Sequence, residues 1–195
     1  MPYSATHKQE TRARIVQCAH QLFNRHGFGD VSIDEIMAAA GLTRGGFYNH
    51  FKAKEDLYAE TLLAYASRRR EDNGNAPQCG GEAARDMVRR YISSTHLGDI
   101  DAHCPLMALP SDVAHAGPVA RAAYTQVLEA MVQFFEMNLE PESGLSARER
   151  ALSLSATCVG AMVLARTVDD PEYSDEICKA ASAFACAAIG STDRD

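Results

Sequence analysis

The sequence predicts an all-α protein of about nine helices. Three observations carry this reading. Apolar residues recur at helical spacing along most of the 195 residues, no stretch alternates with period two, and breaks rich in Gly, Pro, Asn and Asp separate the helical segments. The first helix is expected over 8–26, where Ile15, Val16, Ala19, Leu22 and Phe23 form one stripe and Gly27 stops it, with 1–7 as a loose arm. The second, over 33–40, opens on Ser32 as N-cap with Glu35 completing a capping box, while Val31 and Ile36 are placed as a hydrophobic staple. Gly41 can take a positive φ without steric cost and suits the turn that follows. Thr43 is expected to cap a third helix reaching about residue 51, with Phe47 and Phe51, four apart, sharing the inward face.

The body follows in the same manner. A helix over 54–70 carries Leu57, Tyr58, Thr61, Leu62 and Tyr65 and ends in Arg68-Arg69-Arg70, cations that favour a helix C-terminus. Residues 71–81 read as a loop. Helices are expected over 82–97, over 105–116 ahead of Gly117-Pro118, and over 119–139 ahead of Pro141. Ser146 and Glu149 form a second capping box for a helix reaching 167, Asp170-Pro171 breaks it, and Ser174 is expected to cap the last helix, 174–189. These last two helices are rich in small residues: Ala156, Gly160, Ala161 and Ala165, then Ala180, Ala181, Ala183, Ala185, Ala187 and Ala188. Helices apolar this far around need cover on more than one side. A two-fold four-helix bundle made by 146–167 and 174–189 of two copies supplies it; burial within one monomer is the alternative.

Net charge is −7, which by itself argues against a nucleic-acid partner, but its distribution does not. Residues 1–54 hold seven Lys/Arg against four acids, a balance of +3, and the remainder holds 12 against 22, a balance of −10. A basic end on an acidic body orients the chain toward a polyanion.

Residues 32–54 carry the chemistry. A short helix, a tight turn and a polar-aromatic helix with two glycines form the pattern of a helix-turn-helix, whose second helix lies in the major groove of DNA. Two consecutive glycines cost a helix about 1 kcal/mol each relative to Ala, which close approach to a groove explains. Arg44, Gly45, Tyr48 and Asn49 are left facing outward; Arg44 suits the acceptors of guanine or, failing that, a phosphate, and Thr43, Tyr48, His50, Lys52 and Lys54 suit phosphates. With Ser32 at the entry, these nine residues are the candidate DNA contacts. The plainer alternative is the polar face of an ordinary surface helix.

The run Thr11-Arg12-x-x-Ile15 with Ala19, Leu22, Phe23 and Gly27-Phe28, then Ile36-x-x-x-Ala40-Gly41-Leu42-Thr43-Arg44-Gly45-Gly46-Phe47-Tyr48-Asn49-His50-Phe51 and Lys54-Glu55-x-Leu57, resembles the N-terminal signature of the TetR (tetracycline repressor) family of bacterial transcription regulators. The resemblance implies a DNA-binding domain over 1–52 and a ligand-binding and dimerisation domain over 53–195. It implies homodimers on a palindromic operator, usually released by a small-molecule inducer, with Thr43, Arg44, Tyr48, His50 and Lys54 on the DNA. The chain departs from the family at Ala53, where a capping Ser, Asp or Asn is common.

If the resemblance holds, a ligand cavity lies among the body helices, with Met87, Tyr91, Cys104, Met107, Tyr124, Met131 and Phe134 as candidate lining; ordinary core is the plainer reading of each. Of six cysteines, Cys18, Cys158, Cys178 and Cys186 fall in helical patterns and read as packing residues, and Cys79 falls in the loop. Cys104 follows His103 just before a helix, a place that favours thiolate, so a thiol-based electrophile or oxidant sensor is the alternative mode of release. His96, His103 and His115 with Cys104 match no standard zinc spacing, so no metal and no cofactor is expected. An all-helical enzyme is the remote alternative: there is no Gly-rich phosphate loop and no nucleophile signature beyond Cys104 with His103. No apolar run reaches a membrane span and residues 1–10 are polar, so the expected location is cytoplasmic.

Overall fold

The computed structural model describes residues 5–74, 79–140 and 144–190. Residues 1–4 of the expected arm, 75–78 of the expected loop, Pro141 and the side chains of Arg69 and Arg70 lie outside the described residues. Among those described the chain is all-α, with eleven α-helices, one 3-10 turn and no strand. They are α1 Ala5–Asp30, α2 Ile33–Ala39, α3 Arg44–Phe47, α4 Lys54–Gly74, α5 Gly81–Tyr91, α6 Ser94–Gly98, a 3-10 turn Ile100–Ala102, α7 Pro105–Ala108, α8 Pro110–His115, α9 Pro118–Asn138, α10 Ala147–Thr167 and α11 Pro171–Ala188.

The count exceeds nine because two expected helices are each divided. Residues 82–97 split where Ser93 turns extended and accepts a 3.1 Å hydrogen bond from the His96 amide, starting α6. Residues 105–116 split before Pro110, which forces Leu109 out of helical geometry. The third helix is shorter than expected: only Arg44–Phe47 is helical, followed by single turns through His50. α4 runs beyond 70, to Gly74. The last helix starts earlier than Ser174. Its cap is Asp170, whose Oδ1 accepts from the Glu172 amide at 2.9 Å, with Pro171 at the first position where no N–H is needed. Ser174 sits inside the helix, buried, and its hydroxyl donates to the Ala165 carbonyl at 2.7 Å, fastening α11 to α10. Both expected capping boxes, Ser32–Glu35 and Ser146–Glu149, are formed.

The chain divides into two compact units. The first comprises 1–69 and 100–127. Its core is Ile15, Ala19, Phe23, Ile36, Met37, Phe47, Leu57, Tyr58 and Leu62, with the Phe28 ring stacked on Tyr58 at 4.5 Å and Phe23 set edge-on to it at 5.2 Å. α1 is interrupted at Gly27, which has φ 82. There the Phe28 amide loses its helical acceptor and donates instead to Asp112 Oδ2 of α8 at 2.9 Å. One turn earlier, Asn24 Nδ2 donates to the His103 carbonyl at 3.2 Å, and Arg25 forms two 2.6 Å bonds with Asp101. The segment 101–112 is thereby tied to α1 at three places.

The second unit comprises 70–99 and 128–195. α10 and α11 pack antiparallel, and Ala84, Val88, Val132, Phe135, Ala151, Leu154, Cys158, Met162 and Ala185 form its core. Two buried arginines serve the C-terminus of α11. Arg85 Nη1 donates to the Gly190 carbonyl at 2.5 Å, and Arg150 Nη2 to the Ala188 carbonyl at 3.1 Å. They satisfy carbonyls a helix end leaves open and place positive charge at its negative pole.

Two consequences are measurable. His20 is buried beside Tyr65 and Asn24 in the first unit, and burial, then the Arg68 charge, pushes its imidazole down to about 4. The unfolded chain takes up this proton near pH 6.5 and the folded chain near 4, so stability present above pH 6.5 is lost as pH falls between the two. The unfolding free energy of wild type should fall relative to His20→Gln by up to about 3 kcal/mol across that window; identical pH profiles would exclude it. Gly27→Ala should lower stability by about 1–2 kcal/mol, since its Cβ would also come within 3.1 Å of Asp112 Oδ2. An unchanged thermal midpoint would show that the positive φ is not required there.

Candidate nucleic-acid interface

The segment from Ser32 to Lys54 is built by local rules. The Ser32 hydroxyl accepts from the Glu35 amide at 3.2 Å, while the Glu35 carboxylate accepts from the Ser32 amide and hydroxyl, both at 2.7 Å. Those bonds hold the Glu35 carboxyl below its ordinary value. α2 ends at Gly41, φ 69, with the Leu42 amide donating to Met37 and the Gly41 amide to Ala38, at 2.8 and 2.9 Å. This pair of bonds is the Schellman closure that a left-handed residue permits. Thr43 then turns the chain into α3 with extended backbone, but its side chain makes no capping bond, so it holds the cap position without the expected cap interaction.

α3 and the turns after it are held from below. Phe47 and Phe51 are buried, their rings 5.5 Å apart, as their spacing predicts. The Arg12 guanidinium of α1 lies 4.1 Å over the Phe51 ring, binds both carboxylate oxygens of Glu60 on α4 and donates to the His50 carbonyl. Gly46 faces inward, with Met37 Cε 3.5 Å from where a Cβ would stand, whereas Gly45 is exposed with open space beyond it. Of these two glycines, Gly45 therefore presents bare backbone outward.

Thr43, Arg44, Gly45, Tyr48, Asn49 and Lys52 are exposed on one stretch, and Ser32 is exposed while engaged in its capping box. Arg44 is not free: its Nη1 donates to Asp34 of α2, and that bond, then the Asp34 charge and the nearby Tyr48 hydroxyl, raise the Arg44 pKa. His50 is half-buried; burial, then the charges of Lys8 and Arg12, lower its pKa, and its Nδ1 has no partner among the described residues. Lys54 Nζ donates to the carbonyls of Phe28 and Val31 at 2.6 and 2.7 Å and sits 4.3 Å from the Phe28 ring. Two of its three donors thus hold the end of α1, leaving one for any outside acceptor. Lys8 and Lys52 are the exposed lysines of this region with no acidic partner among the described residues. Where the sequence lacks the usual cap at Ala53, Asp56 Oδ2 accepts from the Ala53 amide at 3.2 Å, which supplies the reciprocal half of a capping box.

Sequence reasoning missed Arg12 and Lys8. Arg12 lies 38 residues from the carbonyl it holds, and no local pattern reports such a pairing. Asp34, which enters the sequence reading only as one of the four acids of residues 1–54, is the partner of Arg44.

The seven candidate ligand residues fall in different units. Cys104, Met107 and Tyr124 belong to the first, with the Tyr124 hydroxyl donating to the Leu106 carbonyl at 2.9 Å; burial, and the nearby Cys104, push it up to about 12. Met87, Tyr91, Met131 and Phe134 belong to the second, with Tyr91 and Met131 buried and the other two half-buried. Cys104 is 2 % exposed. An open groove of about 440 Å³ in the second unit is lined by others, among them Arg89, Ile92, Ser93, Cys178, Lys179 and Cys186. Among the described residues, no group of three or more His, Cys, Asp and Glu could hold a metal ion, and no helix is long and apolar enough to cross a membrane.

Comparison with known proteins bears on this geometry. Residues 15–61 match the family model described as bacterial regulatory proteins, tetR family. The chain is 50 % identical over 52 residues to the HTH-type transcriptional regulator AcrR of Shigella flexneri, a stretch that is 27 % of this chain and about a quarter (24 %) of that protein. It is 24 % identical over 156 residues to the uncharacterized HTH-type transcriptional regulator YdgC of Bacillus subtilis, covering 79 % of this chain and 77 % of that one. Among solved structures it resembles a TetR transcriptional regulator from Chloroflexus aurantiacus, with TM-score 0.75, 25 % identity and coverage of 92 % and 96 % of the two chains. The family match falls on the residues that build the α2–turn–α3 segment, and the structural likeness extends through the helices of the body. Residues 15–61 thus form a domain of the tetR family of bacterial regulatory proteins, and the described helices share the fold of a TetR transcriptional regulator.

Proposed function

We propose that this chain is a cytoplasmic transcriptional repressor, not an enzyme, that binds a palindromic operator as a homodimer and is released by a small-molecule inducer. One observation carries the reading: α2 and α3 are joined by a Schellman turn, with Phe47 and Phe51 buried behind a face made of Thr43, Arg44, Gly45, Tyr48 and Asn49. A rigid, exposed, short helix with a guanidinium and a phenol, followed by Lys52, has the form and charge to enter a major groove with its flanks on phosphates. In this reading 1–52 is the DNA-binding domain and 53–195 binds inducer and partner. Ser32, Thr43, Tyr48, His50, Lys52 and the spare donor of Lys54 lie toward phosphates, and Arg44 reads a base.

The pairing surface is the outer face of α10 and α11. Leu152, Ala156 and Leu164 on one helix and Tyr173, Ala180 and Phe184 on the other recur at helical spacing and are exposed, with Phe184 67 % accessible. Apolar stripes on two helices already packed together are completed by the same stripes of a second copy, an isologous four-helix contact. Two-fold symmetry then presents two reading helices to half-sites about one helical turn, roughly 34–36 Å, apart. The burial of Cys104 favours a non-covalent inducer over a thiol trigger, since a solvent electrophile reaches that sulfur only if the packing around it opens.

Two experiments test this. On the operator selected from random duplexes, Arg44→Ala should cost about 1–3 kcal/mol and relax preference at one position of each half-site. Lys52→Ala should weaken all sequences alike and reduce the salt slope by about 1. Binding that ignores both substitutions excludes this face. Separately, Leu164→Glu with Phe184→Glu should convert the dimer to monomer in sedimentation and weaken operator binding steeply; a variant that stays dimeric places the interface elsewhere.

A further inference from the structure

We propose that Asp34 is a positioning residue for base reading: by holding Arg44 from the preceding helix, it makes the guanidinium discriminate between bases rather than seize any phosphate. This rests on the DNA-binding reading above. Asp34 lies in the first turn of α2, outside the recognition segment, and none of the capping bonds of that helix uses it. Its carboxylate reaches across to α3 and takes Nη1 of Arg44, ten residues on. The Arg44 side chain is 60 % exposed and that of Asp34 55 %. An ion pair this open contributes little to stability, so a purely structural purpose explains it poorly.

Its effect on recognition is larger. An arginine on a helix of four residues would otherwise sweep a wide arc and pair with whichever phosphate came near. Tied at Nη1, with the Tyr48 hydroxyl against the same group, it is fixed in direction. Nε and Nη2 are left without an acidic partner, and these two form one edge of the fork that meets guanine O6 and N7 side by side. The carboxylate also repels phosphate oxygens that approach the clamp, which penalises binding in the wrong register. Asp34 therefore lowers affinity for arbitrary duplex and raises preference at one base pair.

The test uses the full chain and a pool of double-stranded oligonucleotides randomised across the site, with enrichment at each position read by sequencing. Wild type, Asp34→Asn, Asp34→Glu and Arg44→Ala are compared, with thermal midpoints measured alongside. Arg44→Ala identifies the position read by the guanidinium. Asp34→Asn should lose enrichment at that same position by about fivefold or more, leave the other positions as in wild type, and bind an arbitrary duplex more tightly. Asp34→Glu should keep the preference. Asp34→Asn with wild-type enrichment at that position overturns the proposal. So does an equal loss at every position with a lowered thermal midpoint, which would mark a structural role. Wild type enriching no sequence overturns the DNA-binding reading, and this inference with it.

Discussion

A helix of four residues cannot hold itself together in water, because nucleation fixes several dihedral angles for a single hydrogen bond. α3 therefore exists only because Phe47 and Phe51 are buried and the chain beyond it is clamped. That burial is the constraint on which the exposed face depends. It sets which side of the segment turns outward, so Thr43, Arg44, Gly45, Tyr48 and Asn49 share one surface without any of them contributing to the core. Gly41 and its two closing hydrogen bonds set where the segment begins, and Arg12 over Phe51 sets where it ends. The surface is thus rigid for reasons that lie beneath it.

The positive charges of this region are divided between two tasks. Arg12, Arg25 and Lys54 are occupied within the protein, by Glu60 and the His50 carbonyl, by Asp101, and by the carbonyls of Phe28 and Val31. Lys8 and Lys52 have no acidic partner among the described residues, and Arg44 stands between the two groups, held at Nη1 by the exposed Asp34. A net charge summed over the segment hides this difference. The cations that make the segment rigid and those available to a phosphate have different partners, and only the former are tied to distant parts of the chain.

Elsewhere among the described residues, several polar groups close helices. Asp112 receives the amide freed at Gly27, Arg85 and Arg150 receive the last carbonyls of α11, and Asp170 and Ser146 cap the helices that follow them. The outer faces of α10 and α11 are different in kind. Leu152, Leu164, Tyr173 and Phe184 are exposed where interior packing would have buried them, and small residues between them let another surface come close.

The helical class, both capping boxes, the Gly41 turn and the inward placement of Phe47 and Phe51 follow from sequence alone, because each is decided within about five residues. The family resemblance was legible for the same reason, being carried by one unbroken run. Part of what escaped was decided at longer range. That Ser174 is buried depends on how α11 lies against α10, whereas Asp170 caps the last helix through the amides of Glu172 and Tyr173, a local signal. That residues 82–97 and 105–116 each form two helices depends on local breaks at Ser93 and Leu109, which a periodic stripe masks. The assignment of Lys54 to Phe28 and Val31, of Arg12 to Glu60 and His50, and of Asp34 to Arg44 required the tertiary structure. Charged side chains choose partners by distance in space, and sequence order does not encode which distant carbonyl or carboxylate folding will bring within reach.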